Sequence, residues 1–201
     1  MNVEYIQVGL QKIEVINGNG NPAQEASGAE NGAEILIKKC AHLYCEIWRE
    51  PPWYEDFWVP VKVVEDIMSQ MNKSDSKFFL ACSPAFPRPE VVGFTWGYGV
   101  TVEEMREICA SDQLDMLFSD GKAVFYIDEL GVALSHRKKG LGKKLSDFLL
   151  DSLSPGKIHR VTLRTDIAAV AARTLYTKIG FKELPAKDAN YPDRTYWVKE
   201  L

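Results

Sequence analysis

Eight residues in the middle of the chain, Ser135-His136-Arg137-Lys138-Lys139-Gly140-Leu141-Gly142, set basic side chains and two glycines where an apolar segment turns helical. Beyond them Leu145, Phe148, Leu149 and Leu153 recur at three- and four-residue spacings, the stripe of an amphipathic helix. Glycines at such a junction leave the backbone amides unshielded. The unpaired N–H groups of a helix start, helped by the aligned peptide dipoles, make an anion site. Arg137, Lys138, Lys139, Lys143 and Lys144 add five formal positive charges within eight residues, in a chain whose net charge is -4. This chemistry suits a phosphate-bearing small molecule, such as the pyrophosphate of a nucleotide-like cofactor. The alternative is a solvated basic helix start with two loop glycines.

Two familiar phosphate loops do not match. A Walker A loop needs a hydroxyl after its Gly-Lys pair, and here Lys144 follows Gly142-Lys143. A dinucleotide fingerprint needs a third glycine after Gly140-Leu141-Gly142, and Lys143-Lys144-Leu145 follows instead.

The elements that must position this turn flank it. Tyr126 to Leu134 is rich in Ile, Leu, Val and Tyr and predicts a buried strand, with Gly131 marking a bulge or a close approach of another backbone. After a break at Ser154-Pro155-Gly156-Lys157 comes a second strand, and then a helix carrying one tyrosine, Tyr176.

Taken together these segments resemble the GNAT superfamily of acyl-CoA-dependent N-acetyltransferases. That family's pyrophosphate signature is Arg or Gln, two residues, Gly, one residue, Gly or Ala, matched by Arg137 to Gly142. Its later half, an Ala, two residues, Leu-Tyr, three residues and Gly-Phe, is matched by Ala172 to Phe181. The close resemblance covers roughly Ala123 to Phe181. One departure is Ala169, where family members often carry an Asn whose amide helps hold the pantetheine arm; its absence removes a hydrogen bond of about 1 kcal/mol.

The resemblance implies an α/β, GNAT-like three-layer fold, with helices flanking a mixed, mostly antiparallel sheet of about seven strands splayed at its fourth and fifth. It implies acetyl-CoA or coenzyme A as cofactor. The pyrophosphate would lie on the turn formed by Arg137, Lys138, Lys139, Gly140, Leu141, Gly142 and Lys143. The pantetheine arm would run along Leu130, Val132 and Leu134 like an added strand. It further implies direct acetyl transfer to a primary amine, with Tyr176 as general acid and Glu129 as a base acting through water. Asp128 adjoins Glu129, and strand alternation sends the two carboxylates to opposite faces, so a regular strand offers only one of them to the acceptor; a bulge near Gly131 would reverse the choice.

Read from its start, Met1 to Ile16 predicts an opening strand or hairpin, and Asn17 to Gly32, with four glycines and no large apolar residue, a flexible loop. Leu36, Cys40, Leu43, Tyr44 and Ile47 form the stripe of a helix, stopped by Pro51-Pro52. The cluster Trp48 to Trp58 precedes a second helix marked by Val61, Val64, Ile67, Met68 and Met71. In the GNAT fold this linker borders the acceptor groove, which makes Trp53, Tyr54, Glu55 and Phe57 the expected substrate wall; packing is the alternative for Trp48 and Trp53. Phe78 to Cys82 and Val91 to Val100 predict strands joined by a proline-rich turn, Pro84 to Pro89. Thr101 caps a helical insertion reaching about Phe118, with Glu104 in its third position. Phe181 to Leu184 and Thr195 to Val198 supply two last strands around the polar loop Lys187 to Arg194.

The 201 residues, 46% hydrophobic, suffice for a single acetyltransferase domain. Neither a secretory signal nor a membrane-length apolar run is evident, which predicts a cytoplasmic protein with no membrane partner. Cys40, Cys45, Cys82 and Cys109 lack metal spacing, so no metal is expected. Basic residues confined to one turn argue against nucleic acid. Acids beside the aromatics of the wall favour a small cationic amine as acceptor. The alternatives are a peptide or protein N-terminus or lysine, and a catalytically inert CoA-binding regulator; the chain is expected as a monomer or homodimer.

Overall fold

A computed structural model of the chain describes residues 3–9, 13–16, 22–25, 29–83, 89–154 and 156–201. The elements run β1 (Glu4–Val8), β2 (Ile13–Ile16), β3 (Pro22–Glu25), α1 (Ala29–Trp48), α2 (Pro60–Met71), β4 (Lys77–Ser83) and β5 (Glu90–Val100). They continue with α3 (Val102–Cys109), β6 (Ala123–Val132), α4 (Leu141–Asp151), β7 (Ile158–Asp166), α5 (Val170–Lys178), β8 (Lys182–Lys187) and β9 (Arg194–Glu200). Short 3-10 turns occupy Asp115–Phe118 and Leu134–His136. Two compact units emerge: Met1–Trp96 with Glu129–Ser152, and Gly97–Asp128 with Leu153–Leu201.

The first unit orders its strands β3-β2-β1-β4-β5-β6. The opening hairpin is β1 with β2, antiparallel from Tyr5↔Ile16 to Val8↔Ile13, and β1 also pairs antiparallel with β4. Of the segment expected as a loop, residues 17–21 and 26–28 lie outside the described residues, Pro22–Glu25 forms β3, and α1 already begins at Ala29. The expected turn at 84–88 also lies outside them. Helix α1 buries Leu36, Cys40, Leu43, Tyr44 and Ile47, the stripe its spacing predicts, in one cluster with Phe78, Leu80, Phe94 and Trp96. In α2 the buried face is Val63, Ile67 and Met71. Val61 and Met68 face outward instead, because an apolar-rich helix offers more than one face and the i, i+4 row Val63-Ile67-Met71 is the one that packs.

The second unit orders its strands β5-β6-β7-β9-β8. Strands β6 and β7 are parallel, while β7–β9 and β8–β9 are antiparallel, giving the mixed, mostly antiparallel pattern. The β6–β7 ladder runs from Ala123↔Ile158 to Ile127↔Leu163, although β6 itself continues to Val132. Thr101 caps α3: its hydroxyl accepts from the Glu104 amide, and the Glu104 carboxylate accepts from the Thr101 amide. Met105 and Cys109 of that helix pack with Leu114, Leu117, Tyr126 and Tyr196.

The β8–β9 connection is pinned by Asp188, which is buried. Its carboxylate accepts from the Tyr196 hydroxyl at 2.7 Å, from Arg164 at 3.1 Å, and from the Asn190 and Tyr191 amides, both at 2.9 Å. Burial pushes this carboxyl up, but the four donors outweigh burial and hold it below the ordinary carboxylate value. All four cysteines are free and buried, and burial pushes the Cys82 thiol up to about 12.

Candidate active site

The turn after β6 has the geometry its glycines suggest. Ala133 donates its amide to the Val92 carbonyl at 2.9 Å, and the 3-10 turn Leu134–His136 follows. Gly140, at φ 83°, is the N-cap of α4 and provides no side-chain cap. A Cβ placed at Gly140 would meet nothing within 4 Å, so the residue that opens α4 is uncrowded. Leu134 is 68% exposed beside them.

The basic side chains are mostly engaged with the protein itself. Arg137 pairs with Glu50 at 2.6 Å and donates to the Val132 carbonyl at 2.9 Å, tying the turn to the end of α1. Lys139 donates to the Ser135 carbonyl, Lys143 pairs with Asp147 at 2.7 Å, and Lys144 lies over the Phe148 ring. Lys138, at φ 58°, is exposed. At this turn the amides of the α4 start are less engaged than the charged side chains around them.

Upstream on the same strand, Glu129 meets the aromatic cluster. Its Oε1 accepts from the Tyr44 hydroxyl at 3.1 Å, and its backbone carbonyl accepts from the buried Thr95 hydroxyl at 2.9 Å. The Tyr44 ring lies 4.9 Å from Trp48, 5.3 Å from Trp58 and 6.0 Å from both Phe94 and Trp96. Gly131, two residues on, lets this packing close: a Cβ there would lie 2.4 Å from Phe94. The strand's glycine thus marks a close approach of rings. Asp128 lies within 3.4 Å of the Tyr98 hydroxyl in the second unit.

Two of the four expected wall residues are drawn inward. Trp53 stacks on Trp48 at 5.3 Å, and the Glu55 carboxylate accepts from the Trp58 indole at 2.7 Å. The Glu55 amide donates to the Trp48 carbonyl at 2.8 Å, which closes the loop. Tyr54 and Phe57 face outward, 71% and 68% exposed. A groove of about 600 Å³ also runs along α1, lined among others by His42, Glu46, Glu50, Val91 and Leu134.

Tyr176 belongs to the second unit. It is the buried residue of α5, and its ring packs 5.9 Å from Phe181 and 6.3 Å from Trp197. Ala169 is the N-cap of that helix and gives it no side-chain cap. Among the described residues no group of acids, histidines and cysteines is arranged to hold a metal, and no helix is long and apolar enough to cross a membrane.

In the sequence, Tyr44 stands only within an apolar stripe. A signal was present: a tyrosine amid a buried stripe brings a hydroxyl that needs a partner.

The chain belongs to the acetyltransferase (GNAT) family, whose model matches residues 38–181. No curated protein sequence matches it. Its fold is similar to that of the NatC complex bound to Gag peptide and CoA, at a TM-score of 0.63 and 15% identity, over 100% of this chain and 99% of that one. It is similar too to Arabidopsis thaliana NAA60 in complex with acetyl-CoA, at 0.59 and 20%, over 82% of this chain and 93% of that one. A third likeness is to yncA, a putative acetyltransferase from Salmonella typhimurium with its cofactor acetyl-CoA, at 0.59 and 14%, over 84% and 90%.

Proposed function

We propose that this chain is an N-acetyltransferase moving an acetyl group from acetyl-CoA to a primary amine by direct attack. The observation that carries the reading is the run along β6 and past its end. Glu129 meets Tyr44 of the aromatic cluster, Leu130 and Val132 follow beyond the β6–β7 ladder, and α4 then opens at a glycine N-cap with no side-chain cap. The residues present fit the donor: the N-cap of α4 is a glycine with no side-chain cap, and nothing crowds Gly140. The amides of Leu141, Gly142 and Lys143 hold the pyrophosphate, with Lys138 available to a further phosphate. Ala133 bonds toward β5, so alternation turns the backbone groups of Leu130 and the amide of Val132 to the opposite edge, where they suit the pantetheine arm; the Val132 carbonyl is held by Arg137. Arg137 shapes the turn through Glu50 and Val132.

Acetyl-CoA, when bound, supplies the activated thioester. Glu129 takes a proton from the incoming ammonium through water, because only a neutral amine attacks. Tyr176 supports the departing thiolate by a hydrogen bond or a proton; thiols titrate near 8.5 and tyrosine near 10, so complete transfer is not required. Tyr54 and Phe57 offer ring faces to the acceptor beside Asp56, which suits a small cationic amine. A second reading, a peptide N-terminus or lysine, is favoured by the outward exposure of those same two rings. It is also favoured because Glu50 and Glu55 are occupied by Arg137 and Trp58.

The test is release of CoA thiol from acetyl-CoA with spermidine, glucosamine, glutamate and short peptides as acceptors, alongside calorimetry with CoA. Turnover with spermidine or glucosamine is expected, and Tyr176→Phe is expected to lower kcat about 10- to 1000-fold with CoA affinity unchanged. Turnover confined to peptides selects the second reading. Neither thiol release nor heat with CoA refutes both.

A further inference from the structure

We propose that Tyr44 is a positioning residue for Glu129, its hydroxyl holding the carboxylate in place and ionised on the aromatic side of β6. The inference rests on Glu129 serving as the base. Nothing in the acetyltransferase motifs involves α1 at this point; the pair comes from the geometry, across 85 residues of sequence.

Three observations carry it. Tyr44 is only 4% exposed, so its hydroxyl is committed to what it meets inside, and it meets Glu129 Oε1 at 3.1 Å. Its ring cannot swing away, since Trp48, Trp58, Phe94 and Trp96 surround it at centroid distances of 4.9 to 6.0 Å. The backbone beneath the carboxylate is fixed as well, because Thr95 donates to the Glu129 carbonyl at 2.9 Å. A glutamate has three rotatable side-chain bonds. Without an anchor it samples several rotamers, and a base must stay within hydrogen-bond reach of its proton. A phenol on a clamped ring supplies the anchor.

The same hydrogen bond selects the charged form, because a donor to a carboxylate favours its ionised state. Among the described residues, one ionisable group coupled to Glu129 is a neighbour on α1. From α1, Cys40 is a thiol that burial, Cys82 and Glu129 itself all push well up, so it stays neutral. From the α1–α2 segment, Glu55 is held on the Trp58 indole. From β5, Thr95 carries no charge. Tyr44 is thus a donor to this carboxylate that the surrounding rings hold in place.

The experiment is a carbon-13 titration of the chain labelled at its glutamate carboxyls, with Glu129→Gln assigning the resonance and Tyr44→Phe as the test. Phenylalanine keeps the ring and its packing, and thermal melting checks the fold. The Glu129 midpoint is expected to rise by about one pH unit in Tyr44→Phe. With whichever amine or peptide of the acceptor panel is turned over, kcat is expected to fall about tenfold while the KM for acetyl-CoA holds. A purely structural tyrosine would lower the melting temperature and leave the midpoint alone; that result overturns the proposal. If Glu129→Gln transfers acetyl groups as fast as wild type, the base assignment fails, and Tyr44 loses its catalytic meaning whatever the titration shows. If Glu129→Gln is slow while Tyr44→Phe changes neither midpoint nor kcat, the base assignment survives and the role of Tyr44 is refuted.

Discussion

Replacing Gly131 with alanine adds one methyl group at the most crowded point behind the aromatic wall. The new Cβ would sit 2.4 and 2.8 Å from two carbons of the Phe94 ring and 2.9 Å from Ile47 Cδ1. Comfortable carbon–carbon contact begins near 3.5 Å, so something must move by about 1 Å. Phe94 has nowhere to go, being wholly buried with Trp96 at 5.2 Å and Tyr44 at 6.0 Å. Overpacking of this kind costs about 1–3 kcal/mol, and the stiffer unfolded chain of an alanine variant returns about 0.4–1 kcal/mol. The net is a loss of about 1 kcal/mol, which for a chain of this size lowers Tm by about 2–4 °C. Urea unfolding followed by tryptophan fluorescence measures it directly, since Trp48, Trp58 and Trp96 all ring Tyr44. A lower midpoint at an unchanged slope is expected. A midpoint equal to or above wild type would mean that the rings yield freely, and that Gly131 is not needed for close packing.

Two further substitutions act in the second unit. Asp188→Ala strips the buried Tyr196 hydroxyl and Arg164 of their shared acceptor, and is expected to cost about 3 kcal/mol in urea unfolding. Because the folded Asp188 carboxyl titrates below its unfolded value near 3.9, its contribution is full above that pH and is lost as pH falls through the folded value. Unfolding curves of wild type and Asp188→Asn at stepped pH should therefore converge on the acid side; a gap that persists there contradicts the assignment. Thr101→Ala removes the hydroxyl half of the α3 capping box and is expected to cost about 1 kcal/mol, read from thermal melting.

What the sequence made legible was local. The Gly140 turn, the α4 stripe and the Thr101–Glu104 cap lie within a few residues of chain, where spacing and backbone preference decide the outcome. Tertiary choices were less visible. Five basic residues in one turn read as a charged patch, yet the partner of Arg137 is Glu50, far upstream, and spacing offers no sign of that pairing. The aromatic cluster read as a wall, but stacking of Trp53 on Trp48 and capture of Glu55 by Trp58 depend on how the loop closes behind the two prolines. The phase of α2 was hidden for a similar reason, since an apolar-rich helix has more than one face that could be buried, and here Val63, Ile67 and Met71 are.

The internal engagements of the turn after β6 have one more consequence. Arg137, Lys139 and Lys143 spend their donors on Glu50, Ser135 and Asp147, and Lys144 lies on Phe148. On the proposed reading, an anion at α4 would meet amide dipoles at contact range, with the exposed Lys138 beside them. Dissolved salt screens charges over about 8–10 Å and scarcely reaches groups in direct contact. Under the proposed function, a pyrophosphate on this turn would be held at contact range, where added salt weakens binding less than it weakens a steered approach over longer distances.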